Sequence, residues 1–329
     1  MDKRERVHAA TLGQPVDRPP VALWRHFPQA DQDAAALARA HLDFQAKYDW
    51  DLLKVTPTSG YPAEDWGLRA EHQGNREGTR AVLEYPVKLP GDWRKLGPLD
   101  VHQGVLGREL ETLRLVRAGS GPDIHVLQTI FSPLTIAKNL GRERLLEDLR
   151  QHPADLHAAL GVIADTTARF AQACLASGAD AIFFATQFAS HDLLRVAEYQ
   201  EFGVAYDEPV LAAVAGKAGF IVLHAHGTRP MFDLLADYPV QVINWHDRTT
   251  PPTLAQGQRR FLGAVAGGLD EWGALQAQPA AGSPNEAAGQ AWEAIAQTGG
   301  RHFILAPGCV IPVDTPEENI QAVRKAVGR

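Results

Sequence analysis

Ser177-Gly178-Ala179-Asp180 runs straight out of a helical pattern and into the apolar run Ala181-Ile182-Phe183-Phe184-Ala185. Upstream, Leu156, Leu160, Ile163, Thr167, Phe170 and Cys174 recur every three or four residues, the spacing of one buried helix face. Glycine after the last periodic residue is a helix stop. A long helix from Pro153 to Gly178 followed directly by a short strand is one half of a βα repeat, and the rest of the chain can be read in the same units.

Seven further β-rich runs flank this one: Val21–Trp24, Leu52–Thr56, His125–Ile130, Phe220–His224, Gln241–Trp245, Phe261–Val265 and His302–Leu305. Most are continuous apolar runs rather than alternating ones, as expected of parallel strands covered on both faces. Helical patterns lie between them at Ala34–Tyr48, Arg142–Leu149, Arg229–Ala236, Leu254–Arg260, Asn285–Thr298 and Glu317–Val327. Eight strands alternating with helices, without a second core, predict a (β/α)8 TIM barrel spanning residues 1–329 as one domain. One interval breaks the rhythm. Residues of about 64–118, between the second and third strands, read as an insertion containing a β-hairpin and then a helix, Val105–Ala118. On the strand-exit face such an insertion forms part of a pocket wall; the alternative is a structural excursion away from any site. Gln276–Pro284, rich in Ala, Gly and Pro, reads as a loop.

The 329 residues carry a formal net charge of −7 and no basic run, which argues against nucleic acid as a partner. The charged start, Met1-Asp-Lys-Arg-Glu-Arg-Val7, is not a signal peptide, and no run of about 18 apolar residues suggests a membrane helix. Two cysteines make no disulfide framework and suit the reducing cytoplasm. Dinucleotide, phosphate-loop, nucleophile-elbow and His-Glu-x-x-His motifs do not occur, so nicotinamide, ATP and serine-nucleophile chemistries have no support.

Residues at the carboxyl ends of barrel strands share one mouth. They include Trp24, Arg25, His26, Lys54, Gln128, Phe131, Gln187, His224, His226, Trp245, His246, Asp247 and Cys309. His224 and His226 are two apart, so on an extended chain both project to the same side. Cys309, lifted by Pro307-Gly308, arrives at the same rim after the last strand. Two imidazoles and a thiolate suit Zn²⁺, with a fourth position left for substrate or water, and zinc would hold the cysteine deprotonated. The competing reading has His224 packed inside, His226 in a loop hydrogen bond and Cys309 as a small buried hydrophobe. Arg25 and Asp247 are the candidate catalytic residues. An arginine here suits a bidentate grip on a carboxylate or phosphate, or else a surface ion pair. Asp247 orients a histidine or binds a cation, or else caps the next turn. Trp24, His26, Gln128, Phe131, Gln187 and Trp245 are candidate substrate contacts. Cys174, on the apolar helix face, is core.

In order along the chain, Arg18-Pro-Pro-Val-Ala-Leu-Trp-Arg25, Thr129-Ile-Phe-Ser-Pro-Leu-Thr135, Ser177-Gly-Ala-Asp-Ala-Ile-Phe183, Leu223-His-Ala-His-Gly227, Pro307-Gly-Cys309 and Asp314-Thr-Pro-Glu-Glu-Asn319 resemble the uroporphyrinogen decarboxylase superfamily. That superfamily contains the decarboxylase of haem biosynthesis and the zinc-dependent methylcobalamin:coenzyme M methyltransferases. The resemblance implies the barrel and a site at its mouth. The decarboxylases carry Arg-Gln-Ala-Gly-Arg after the first strand; here Arg25 fits the first arginine and Gln29 replaces the second. Their Phe-Ser-Asp-Ile aspartate has no counterpart in Val55-Thr-Pro-Thr58-Ser59. The methyltransferases bind zinc through His-x-Cys and a late Pro-Gly-Cys, which here correspond to His224, His226 in place of the first cysteine, and Cys309. The resemblance thus implies zinc-dependent methyl transfer to a small-molecule thiol from a corrinoid, carried by a partner protein. Decarboxylation of a porphyrinogen or smaller carboxylate anchored by Arg25 is the alternative, and a non-catalytic binding protein is a third. Gln187 and Asp247 are candidates for a fourth zinc ligand.

Overall fold

A computed structural model describes residues 1–276 and 282–328. Seven parallel strands curl into one sheet: β1 (Leu52–Val55), β4 (His125–Phe131), β5 (Ala181–Thr186), β6 (Ile221–Ala225), β7 (Val242–Trp245), β8 (Ala264–Leu269) and β9 (Phe303–Pro307), in that spatial order. Every residue of these strands is buried, because helices cover one face and the barrel interior the other.

The first stave closes the ring. Val21 bridges in parallel to Leu305, with Ala22 N–H donating to the Leu305 carbonyl at 3.1 Å and Leu305 N–H to Pro20 O at 2.9 Å. On the other side Asp51 N–H donates to Val21 O at 2.9 Å. Pro19 and Pro20 have no N–H to contribute, which leaves this stave as a bridge rather than a full strand. At the amino-terminal end of the barrel the fully buried Asp51 side chain accepts from Arg6, from both terminal nitrogens of Arg18 and from Val21 N–H.

The predicted hairpin forms from β2 (Arg69–Glu71) and β3 (Ala81–Glu84), paired antiparallel. Its tip is fastened over the mouth from two sides. Arg80 pairs with the buried Asp31 at 2.5 Å, and Arg76 pairs with Asp314 at 2.8 Å while Val313 N–H donates to Arg76 O. Gly78 sits between them at φ +77°, where a Cβ would strike Val313 and His26.

Helices Ala34–Tyr48 and Leu254–Arg260 have their predicted bounds, and Pro153–Ala176 ends two residues short of Gly178. The seventh predicted barrel strand differs. Phe261 closes the preceding helix and Leu262 is exposed, so β8 starts at Ala264 and runs on to Leu269 instead of ending at Val265. Helices Lys3–Thr11, Pro133–Gly141 and Ala205–Val214 were not predicted; the last carries Pro209 inside it. The loop expected at Gln276–Pro284 falls largely on 277–281, outside the described residues. Among the described residues no helix is long and apolar enough to cross a membrane.

Candidate metal centre

His224 lies on β6 and His226 two residues further, and the same two-residue step puts Asn244 on β7 and His246 just past it. The strands are in register with His224 opposite Asn244, so two imidazole-bearing strand ends meet side by side. Cys309 comes from the turn after β9. Gly308 makes that approach feasible: a Cβ there would lie 2.9 Å from His246 Cα and 3.0 Å from a Glu271 carboxylate oxygen.

One ligand atom from each of His224, His226, His246 and Cys309 lies within 4.8 Å of the others. Cys309 Sγ is 3.6 Å from His224 Nε2 and 3.6 Å from His226 Nδ1, and His226 Nδ1 is 3.3 Å from His246 Nε2. Zinc bonds of about 2.0–2.1 Å to nitrogen and about 2.3 Å to sulfur, set at tetrahedral angles, separate two nitrogens by about 3.3 Å and nitrogen from sulfur by about 3.6 Å. The donor types, and the spacing of these three pairs, therefore fit zinc.

The surrounding hydrogen bonds fix which nitrogen faces the centre. Asn244 Nδ2 donates to the carbonyls of Ala266 (2.9 Å) and Pro307 (3.0 Å), so Asn244 Oδ1 must face His224 Nδ1, 2.6 Å away, and accept its proton. His224 Nε2 is then a free lone pair. Likewise His246 Nδ1 donates to the buried Glu271 carboxylate at 2.7 Å, freeing Nε2. Burial, with the neighbouring imidazoles His226 and His246, holds His224 well below the usual histidine range; burial, then His246 and Lys138, brings His226 down to about 3. Both are neutral and ready to ligate. Burial and the Glu271 charge push the Cys309 thiol up to about 12, so without a cation it keeps its proton. The Asn244→Ala protein leaves two buried carbonyls without a donor and His224 without its orienting acceptor. Its zinc affinity is expected to fall by about 10- to 100-fold in a chelator competition.

A cavity of about 480 Å³ opens above these donors. Of the predicted contacts, Trp24, His26, Phe131 and Gln187 line it, together with His224, His226 and Cys309. The hairpin contributes Ala70, Glu77, Thr79, Arg80 and Val82. The remaining predicted residues lie elsewhere. Arg25 points away from the cavity, its guanidinium 5.3 Å over the Phe27 ring. Trp245 faces outward between His246 and Asn244, fully buried against Phe232 and donating to Pro252 O at 2.8 Å. Gln128 is fully buried within β4 and does not reach the cavity wall. Asp247 accepts from Gly268 N–H at 2.9 Å, a strand tie, and burial raises it to about 7. Asp247 and Gln187, whose amide oxygen accepts from Lys138 at 3.2 Å, lie outside the cluster, whose fourth member is His246. The Asn-Trp-His alternation at 244–246 was the available signal, and Glu271 had none. A larger groove, about 1350 Å³, lies at the far end among Met1, Lys3 and Arg324 and contains none of these donors.

The family model described as uroporphyrinogen decarboxylase (URO-D) matches residues 2–329. Methylcobamide:CoM methyltransferase MtbA of Methanosarcina acetivorans is 23% identical over 97% of this chain and 95% of its own length. A uroporphyrinogen decarboxylase of Rhodococcus opacus is 33% identical, over 42% of this chain and 39% of its own. Among solved structures, a methyltransferase from Methanosarcina mazei superposes with a TM-score of 0.83 at 21% identity, covering 99% of this chain and 98% of that one.

Proposed function

The chain belongs to the uroporphyrinogen decarboxylase (URO-D) family, and from that premise we propose that it is a zinc-dependent methyltransferase passing a methyl group from a corrinoid to a small thiol. The observation that carries this reading is the meeting of His224, His226, His246 and Cys309 at the barrel mouth. The likeness to methylcobamide:CoM methyltransferases over nearly the whole chain supports it. Zinc bound there would supply a Lewis acid that favours the thiolate form of a bound thiol.

The chain's own residues supply the rest. Asn244 and Glu271 hold two imidazoles in the ligating tautomer. Trp24, Phe131, Phe183 and Phe188 form an apolar wall that excludes water from the reacting sulfur. The open side of the cavity, framed by the hairpin, is where a corrinoid carried by a partner protein would present its methyl group. A corrinoid presented there would supply the methyl group and would keep the electron pair of the bond it gives up, while a thiol held beside His224, His226, His246 and Cys309 would receive the methyl on its sulfur. The decarboxylase reading is weaker here. Arg25 lies off the cavity and the Val55–Ser59 stretch offers no carboxylate to accept pyrrole N–H groups.

A closed set of four protein donors is also what a purely structural zinc uses, so the test reads catalysis together with metal. Protein purified without a His tag is expected to hold about one zinc per chain and to form thioether from methylcobalamin and a thiol. Cys309→Ala should lose both. Zinc without methyl transfer would assign the centre a structural role, and metal-free turnover of uroporphyrinogen would replace this reading with decarboxylation.

A further inference from the structure

Of the imidazoles that meet at the barrel mouth, two have an outer partner: Asn244 for His224 and Glu271 for His246. His226 does not. Among the described residues its side chain hydrogen-bonds only to Cys309 and His246, both members of the cluster. It also lies one residue past the end of β6. Its remaining tie runs through the backbone: His226 N–H donates to the carbonyl of Thr186 at 2.9 Å. Thr186, the last residue of β5, therefore decides where His226 stands.

Thr186 is itself held from behind. Phe183 and Ala185 line the cavity, so by the alternation of the strand the Thr186 side chain faces the helices. Its Oγ1 lies 2.9 Å from the Tyr199 hydroxyl. Tyr199 donates its single proton to Asp207 Oδ2 at 2.9 Å, so toward Thr186 it accepts, and the Thr186 hydroxyl donates. Tyr238 donates to the same Asp207 oxygen at 2.7 Å. Thr186, Tyr199 and Asp207 are fully buried. Among the described residues Asp207 has no cation partner, and its Oδ1 accepts no hydrogen bond. A carboxyl group kept there at the cost of its hydration needs a task to explain it.

A break in helix geometry brings Tyr199 and Asp207 together. They are eight residues apart, which on a regular α-helix would turn their side chains about 80° from each other. Between them the helix widens into a π-turn at Gln200–Val204, which takes up one extra residue and returns both to one face. Gly203 lies within that turn, and a Cβ there would sit 2.5 Å from the Tyr199 ring. Turns of this kind occur frequently at functional sites.

We infer that Tyr199 is a positioning residue for the metal centre: it grips Thr186, whose carbonyl sets His226 where its Nδ1 meets Cys309 and His246. Asp207 takes the Tyr199 proton and so keeps the tyrosine oxygen free to accept from Thr186. That His226 binds zinc rests on the function proposed above; the hold on its backbone does not.

Amide hydrogen exchange, resolved by residue on the full chain without added metal, reads that hold directly. In Tyr199→Phe and in Thr186→Val the His226 amide is expected to exchange about 5- to 10-fold faster than in the unmodified protein, while Thr186→Ser, which keeps the hydroxyl, stays within about twofold. Tyr238→Phe is the control. It removes a bond to the same Asp207 oxygen without touching Thr186, so it should leave the His226 amide unchanged. Zinc affinity in a chelator competition should follow the same order, falling about 10-fold in Tyr199→Phe and Thr186→Val and holding in Tyr238→Phe. Unchanged exchange of His226 in Tyr199→Phe, or the same acceleration in Tyr238→Phe, overturns the inference. So does faster exchange with no loss of zinc affinity. Faster exchange in Tyr199→Phe, in a chain whose unmodified form takes up no zinc, upholds the grip on His226 and removes the zinc reading instead.

Discussion

Replacing His246 with alanine is expected to lower zinc affinity by more than about 100-fold, while Asp247→Ala leaves it within about threefold of the unmodified protein; loss even of an outer-shell partner typically costs about 10–100-fold, and the proposed centre uses His246 as a direct donor. The two residues are adjacent, yet the strand's alternation sends them to different tasks. His246 Nε2 lies 3.3 Å from His226 Nδ1, at the spacing two zinc-bound nitrogens adopt. The Asp247 carboxylate instead accepts from Gly268 N–H, and a Cβ on Gly267 would lie 2.4 Å from its oxygen. Glu271→Gln should fall between the two, because an amide oxygen still accepts from His246 Nδ1 but lacks the carboxylate's charge. Competition against a chromophoric chelator gives all three affinities. Retention of zinc by His246→Ala, or its loss in Asp247→Ala, would remove His246 from the donor set.

Asp51→Ala is expected to destabilise the fold by about 3–5 kcal/mol, because breaking a buried ion pair leaves uncompensated charge behind. Arg18 loses both its carboxylate bonds, at 2.6 and 3.1 Å, Arg6 loses one of its two acidic partners, and Val21 N–H loses its acceptor. These groups hold the first stave against β1, so the loss falls on ring closure. Thermal melting should show a fall of about 5–15 °C. Asp17→Ala is the control: Asp17 also pairs with Arg6, but its side chain is 41% exposed, and the expected cost is below about 1 kcal/mol. Equal losses in the two variants would mean that Asp51 is not what secures the stave.

Most of the barrel was legible because parallel strands between two covered faces must be apolar throughout, and the Ser177–Asp180 helix stop fixes where one βα unit becomes the next. Phe261 misled for the same reason: an apolar residue capping a helix looks like a strand start when an exposed Leu262 follows it. His224 and His226 were readable from their own spacing. His246 was seen at the mouth, but its role depends on β6 and β7 being neighbours in register, which one-dimensional spacing does not contain. Arg25, Gln128 and Trp245 show the converse limit. A polar or aromatic residue at a strand end faces the cavity or the helices according to a single step of the pleat, and their sequence neighbours look the same either way.

Val21 finds its partner in Leu305, and Cys309 follows four residues later. The stretch that shuts the ring therefore also delivers the sulfur donor. During synthesis the first stave stays without this neighbour until the chain has been made through Leu305, 284 residues after Val21. Its edge is exposed through that interval, and no complete metal site exists to capture an ion prematurely. In the proposed zinc enzyme, loading with metal would thus follow closure, and a chain holding its ion would report a closed barrel.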